Sequence, residues 1–145
     1  MLPKQRKSES NPKRQAPEAG KIIDYGYLWQ REDAAGQVNA SKDRPCLIWE
    51  VRKIEALFIV SVLPISTSSM GARVPIHPRE RAALGLPEDC NVVIEEMNIF
   101  NWPGPDIVPQ DDRTMMRPNP ASRKLTDTIA EAMEGRRVAK VFRPD

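Results

Sequence analysis

Histidine occurs once in the 145 residues, and that scarcity excludes a good deal of chemistry. With His77 alone, a nuclease that passes protons between two imidazoles has no second partner. His77 is also flanked by Pro75 and Pro78, which favours a structural or exposed role. Cysteine is nearly as rare. Cys46 and Cys90 lie far apart and form no C-x-x-C pair, so neither a redox motif nor a zinc site is indicated. Both adjoin apolar, strand-like runs and read as buried free thiols.

Charge of one sign is missing as well. The 22 Lys and Arg nearly cancel the 20 Asp and Glu, leaving a net charge of +2. No global basic field draws the chain to a polyanion, so nucleic-acid binding has to rest on local clusters. Long hydrophobic runs are absent too. No stretch approaches the roughly 20 apolar residues that span a bilayer. The basic residues of 1–20 are not followed by the apolar stretch of a signal peptide, so a cytoplasmic protein with no membrane contact is expected. The seven glycines are scattered and build no phosphate loop. Asp33, Asp43, Asp106, Asp111 and Asp112 show no calcium-loop spacing, so no metal and no cofactor is expected.

What is abundant is proline, with 14 residues, about twice the usual share. Together with the length this predicts one loop-rich domain. Residues 1–19 mix Lys4, Arg6, Lys7, Lys13 and Arg14 with polar residues and read as a disordered basic tail, a solvated end or an arm for a polyanion. The domain proper is expected over 20–145.

Within it, Ile22 to Trp29 alternates as a first strand, with residues 23, 25, 27 and 29 on one face. Gln30 to Asp43 reads as a long polar loop. Pro45 to Val51 is a second strand, opened by a proline that cannot donate to a ladder. After a turn over Arg52 to Ala56, the run Leu57 to Ile65 has the composition of a strand buried on both faces. Ser66 to Ser69 is then a polar loop, and Arg73 to Ile76 a short strand. Pro78 to Leu84 is a short helix closed by Gly85. Cys90 to Met97 is a further strand, and Trp102-Pro103-Gly104-Pro105 a turn. Leu125, Ile129 and Met133 form the apolar stripe of a closing helix over about 121–134, most simply a surface turned to the core. The pattern predicts a mainly β (α+β) domain, either a small β-barrel or a strongly bent sheet.

If the strands carrying Arg44 and Ser66 are adjacent and antiparallel, the guanidinium of Arg44 and the hydroxyls of Ser66 and Thr67 share one edge of the sheet. An always-charged fork beside two hydroxyls can grip a phosphate. The plainer alternative is a surface ion pair of Arg44 with Asp43 or a neighbouring carboxylate.

The order of these segments resembles the PemK/MazF family of toxin–antitoxin toxins. The resemblance lies in Gly20-Lys21-Ile22-Ile23, a polar loop holding Gly36, Arg44-Pro45 opening one strand, and Pro64-Ile65-Ser66 closing the next. Tyr27-Leu28-Trp29, Lys42-Asp43-Arg44-Pro45-Cys46 and the run from Asn98 to Asp106 are closest to the proteobacterial PemK-like growth inhibitors. The resemblance covers about Gly20 to Val108. It implies an SH3-like barrel that forms a homodimer, cleaves single-stranded RNA without a metal and is held in check by a small antitoxin protein. It also implies Arg44 and Ser66 as the catalytic pair. Family members usually carry Thr where this chain has Ser66, and Thr67 next door leaves the register open.

Cleavage through the ribose 2′-oxygen needs a base, a stabiliser of the phosphorane charge and a proton for the 5′-oxygen. Arg44 suits the second role, since its high pKa makes it a poor base. Glu32 or Asp43 on the preceding loop is a candidate base. Lys42 adds a cation for RNA, and Trp29 and Trp102 offer faces for unpaired bases or, equally, core packing. Two other classes stay open: a catalytically inactive barrel that binds protein or nucleic acid, and a gyrase-directed toxin on a related barrel. The second is disfavoured because such toxins act through a C-terminal helix.

Overall fold

The computed structural model describes residues 15–68 and 71–144. The strands are β1 (Ile22–Gly26), β2 (Asp43–Ile54), β3 (Leu57–Ser66), β4 (Arg73–Pro75), β5 (Asn91–Val93), β6 (Glu96–Asn101), β7 (Ile107–Val108) and β8 (Ala139–Phe142). The helices are α1 (Gln30–Ala34), α2 (Pro78–Leu84) and α3 (Arg123–Met133).

The centre of the fold is the antiparallel hairpin of β2 and β3. Its turn is tighter than the sequence suggests. Both strands continue to Ile54 and Leu57, leaving Glu55, at φ 57, and Ala56 to reverse the chain. The register shifts between Ile48 and Glu50, a bulge that bends and twists the hairpin. Along its other edge β3 pairs with two different strands: Ile59 to Val62 with β6, and Ile65 and Ser66 with β5. The strand expected over Cys90 to Met97 is therefore cut at Ile94-Glu95, because its two halves serve different stretches of β3. β1 and then β7 extend the sheet beyond β2, and β4 lies beyond β5. The ladder does not close among the described residues, so of the two expected architectures the molecule is the bent, open sheet rather than a barrel.

Bending gives the sheet two packed faces. Leu47, Leu63, Ile65, Val74, Val92 and Ile94 form one apolar cluster, covered by Leu125 and Ile129 of α3 and Leu84 of α2. The stripe on α3 thus faces the core, as its spacing predicts. Cys46, Ile48, Val60 and Val62 point the other way and pack with Ile23, Tyr25, Tyr27 and Phe100, as the alternation of strand side chains requires. The Tyr25 and Phe100 rings stack at 4.7 Å. Both cysteines are free and buried.

α2 begins and ends as the sequence indicates. His77 caps it, its Nδ1 accepting the Arg79 N–H at 3.1 Å, and Gly85 takes the left-handed conformation at φ 66 that a side chain would resist. Two elements depart from expectation. β1 stops at Gly26, and the supposed loop after it opens with helix α1, so Trp29 is a helix cap and not a strand residue. β8 has no counterpart in the sequence reading. It pairs in parallel with β6, Ala139 opposite Glu96 and Phe142 opposite Ile99.

The tail reading for residues 1–14 lies outside the described residues. Residues 15–19 are held to the domain: Gln15 accepts hydrogen bonds from the Thr114 hydroxyl, the Met115 N–H and the Trp102 indole. No helix among the described residues is long and apolar enough to cross a membrane.

Candidate functional site

Arg44 and Ser66 meet because of the register of the central hairpin. The β2–β3 ladder ends where Cys46 pairs with Pro64, which brings Arg44 and Ser66, two residues beyond on either strand, to the same end of the hairpin. Arg44 pairs with Tyr25 of β1, so its backbone is held in the β1–β2 ladder. Both side chains line a groove of about 780 Å³, together with Trp29, Arg31, Lys42, Thr67, Glu95 and Glu96. A smaller annex of about 150 Å³ shares Lys42, Arg44, Ser66 and Thr67 and adds Asp43.

The guanidinium of Arg44 lies 4.9 Å from the centre of the Trp29 ring, and that of Arg31 lies 5.1 Å from it. Such contacts are attractive and strengthen away from water. Arg44 forms no ion pair among the described residues, including the one anticipated with Asp43. Its Nε is buried without a hydrogen-bond partner. A buried donor left unpaired is unfavourable by about 1–3 kcal/mol, so Arg44 is held by packing on Trp29 with one donor in reserve. Ser66 is 9% exposed, and its Oγ accepts the Ser68 N–H at 3.1 Å, which leaves its own proton free to donate. Thr67 is exposed on the groove wall.

The two base candidates separate. Glu32 does not line the groove. One of its oxygens accepts the Trp29 N–H at 3.0 Å and the other the Ser41 hydroxyl at 2.9 Å. Burial pushes its carboxyl up, but these bonds and the Arg31 and Arg44 charges outweigh it and hold the group below its usual range. Glu32 is therefore a clamp that starts α1 and a weakened base. Asp43 is exposed and reaches the annex alone.

Trp102 is a correction. It is buried with Phe100, its indole N–H donates to the Gln15 carbonyl at 2.6 Å, and it does not line the groove. It is a core residue and no platform for a base. Trp29 does line the groove and is half-buried, with guanidinium groups over its ring.

Sequence reasoning missed Glu95 and Glu96, which fell inside the strand expected over Cys90 to Met97. Glu95 accepts the Ala72 N–H at 2.8 Å and lies over Gly71, in space that a side chain there would fill. Glu96 accepts the Gln30 N–H at 2.8 Å and the Tyr27 hydroxyl at 3.1 Å, both on one oxygen. Burial raises its carboxyl above the ordinary value, against the lowering effect of those bonds and of Arg31. No local signal marks it, because the strand boundary beside it arises only where β3 changes partner.

The residues around Trp29 are fixed from below. Asn98, fully buried, donates to the Leu28 carbonyl at 2.8 Å and accepts the Leu28 N–H at 2.9 Å. Arg143 donates to Asn98, to the Gly26 carbonyl, to the Tyr25 hydroxyl and to Asp106. Among the described residues no three His, Cys, Asp or Glu side chains gather closely enough to hold a metal ion. No family model, curated protein or solved structure matches this chain.

Proposed function

We propose that the groove binds single-stranded RNA and cleaves it without a metal, and that the chain is the toxin of a type II toxin–antitoxin pair of the PemK/MazF kind. The observation that carries this reading is Arg44, a guanidinium with an unpaired buried donor, at the same end of the central hairpin and in the same groove as the Ser66 hydroxyl. A phosphodiester oxygen in the groove would meet the half-buried Arg44 guanidinium and the Ser66 proton from the facing strand. As negative charge builds on the phosphorane, Arg44 stabilises it in a partly desolvated setting. Lys42 and Arg31, neither in an ion pair among the described residues, extend positive charge along the strand path. The order of motifs supports the same reading and adds a homodimer and a small antitoxin protein.

Incubating the protein with mixed-sequence single-stranded RNA, with and without EDTA, tests this directly. Cleavage that survives the chelator and falls at least 100-fold in Arg44→Ala is the expected result. Ser66→Thr keeps the hydroxyl and retains activity, whereas Ser66→Ala loses it. RNA that is bound in the groove but left intact by the wild-type protein would favour the inactive binding module instead.

A further inference from the structure

The reading above needs a group that removes the 2′-hydroxyl proton, and neither loop carboxylate is suited to it. Both oxygens of Glu32 are engaged outside the groove, and Asp43 stands exposed in the annex, with no side-chain hydrogen bond among the described residues. Glu96 is placed differently. One of its oxygens is anchored by the Gln30 N–H and the Tyr27 hydroxyl, while Oε2 has no partner among the described residues, in the groove that also holds Arg44 and Ser66. Tyr27 is itself buried and edge-on to Trp29 at 5.0 Å. The carboxylate is thus fixed on the same residues that carry the ring under Arg44.

We propose that Glu96 is the general base of this site, taking the 2′-hydroxyl proton of a single-stranded RNA whose scissile phosphate rests on Arg44. This rests on the ribonuclease reading. In the step, the 2′ O–H bond breaks and its proton passes to Glu96 Oε2. The freed oxygen forms a bond to phosphorus, and the bond from phosphorus to the 5′-oxygen breaks. The 5′-oxygen takes a proton from water, leaving a 2′,3′-cyclic phosphate and a 5′-hydroxyl, and Glu96 returns its proton to solvent. Burial keeps the carboxyl above the usual range, which brings it nearer to neutral pH, where a base is most effective.

The charged and titratable groups facing Glu96 are Tyr27 just after β1, Arg31 of α1 and neighbouring Glu95, with Lys42 and Arg44 also lining the groove. β8 places only Ala139 opposite it. The ionised form is the active one, so the rate falls as pH drops through the Glu96 pKa, and this limb lies above the ordinary carboxylate range of about 4.3.

The test is single-turnover cleavage of a defined RNA across pH 4–9 (about the range a carboxylate base would show), using wild type, Glu96→Gln, Glu96→Asp and Arg44→Ala. A wild type that leaves RNA intact overturns the ribonuclease reading itself. Given cleavage, Glu96→Gln should lose about 100-fold or more and its acidic limb, a loss typical of a missing general base. Gln keeps an oxygen to accept from Tyr27 and Gln30, so the urea midpoint should hold. Arg44→Ala should be slow yet keep the limb, and Glu96→Asp should keep it too. A substrate with sulfur as the bridging 5′ leaving atom needs no acid. Glu96→Gln should remain slow on it, and recovery to near wild-type rate would make Glu96 the acid and overturn the proposal. So would an unchanged acidic limb in Glu96→Gln, or a lost one in Glu96→Asp.

Discussion

The side-chain amide of Asn98 holds both backbone polar groups of Leu28, 70 positions away in the chain, and so fixes the residue that precedes Trp29. Two buried backbone groups that no strand satisfies are paired by one side chain. Asn98→Leu, close in volume, orphans both of them, while the Arg143 Nη1 keeps the Gly26 carbonyl and the Tyr25 hydroxyl. An orphaned buried group costs about 1–3 kcal/mol, so a loss of about 3 kcal/mol in urea unfolding is expected, with Trp29 fluorescence shifting in the folded variant.

Arg143 is 7% exposed, pairs with Asp106 at 3.0 Å and donates to three further groups. Breaking a buried pair from one side is strongly unfavourable. Arg143→Met should destabilise by about 3 kcal/mol, at the lower end of such losses, because Asp106 is one-third exposed and regains water. A urea midpoint unchanged from wild type would contradict this.

Cys46 is fully buried, and burial pushes its thiol well above the ordinary range despite the opposing Arg44 charge. A raised thiol pKa keeps the protonated, unreactive form at pH 8 (near the free cysteine value of about 8.5). Iodoacetamide should leave Cys46 unmodified in the native protein and label it in urea, read by peptide mass. Labelling of the native thiol at the rate of free cysteine would contradict the packing described.

Lys42 lines the groove and makes no ion pair among the described residues. If it meets a phosphate, Lys42→Ala should weaken single-stranded RNA binding alike across sequences. The slope of log affinity against log salt should fall by about 0.7, the value for one single-strand phosphate contact. Fluorescence anisotropy on the Arg44→Ala background, where cleavage is suppressed, measures it.

Much of this was legible where local signals agree. Pro78 at the first turn and Gly85 at the end delimit α2, and the spacing of Leu125 and Ile129 marks the buried face of α3. The adjacency of β2 and β3 follows from their short connection, and with it the meeting of Arg44 and Ser66. β8 was not legible, since Ala139 to Phe142 is short, carries Lys140 and pairs only with a strand some 40 positions earlier. The break at Ile94-Glu95 was hidden for a similar reason. Nothing local says that β3 changes partner there. Glu96 follows from that break, because its environment is made by Tyr27 and Gln30 from the other end of the chain. Trp102 was ambiguous by composition alone, and only the Gln15 carbonyl reveals why its indole can be buried.

The network under Trp29 draws on Tyr25, Gly26, Leu28, Asn98, Asp106 and Arg143. During translation Arg143 emerges after every other member. Until it has left the ribosome, a nascent chain that already contains Arg44, Ser66 and Glu96 lacks the last fastening of the groove floor.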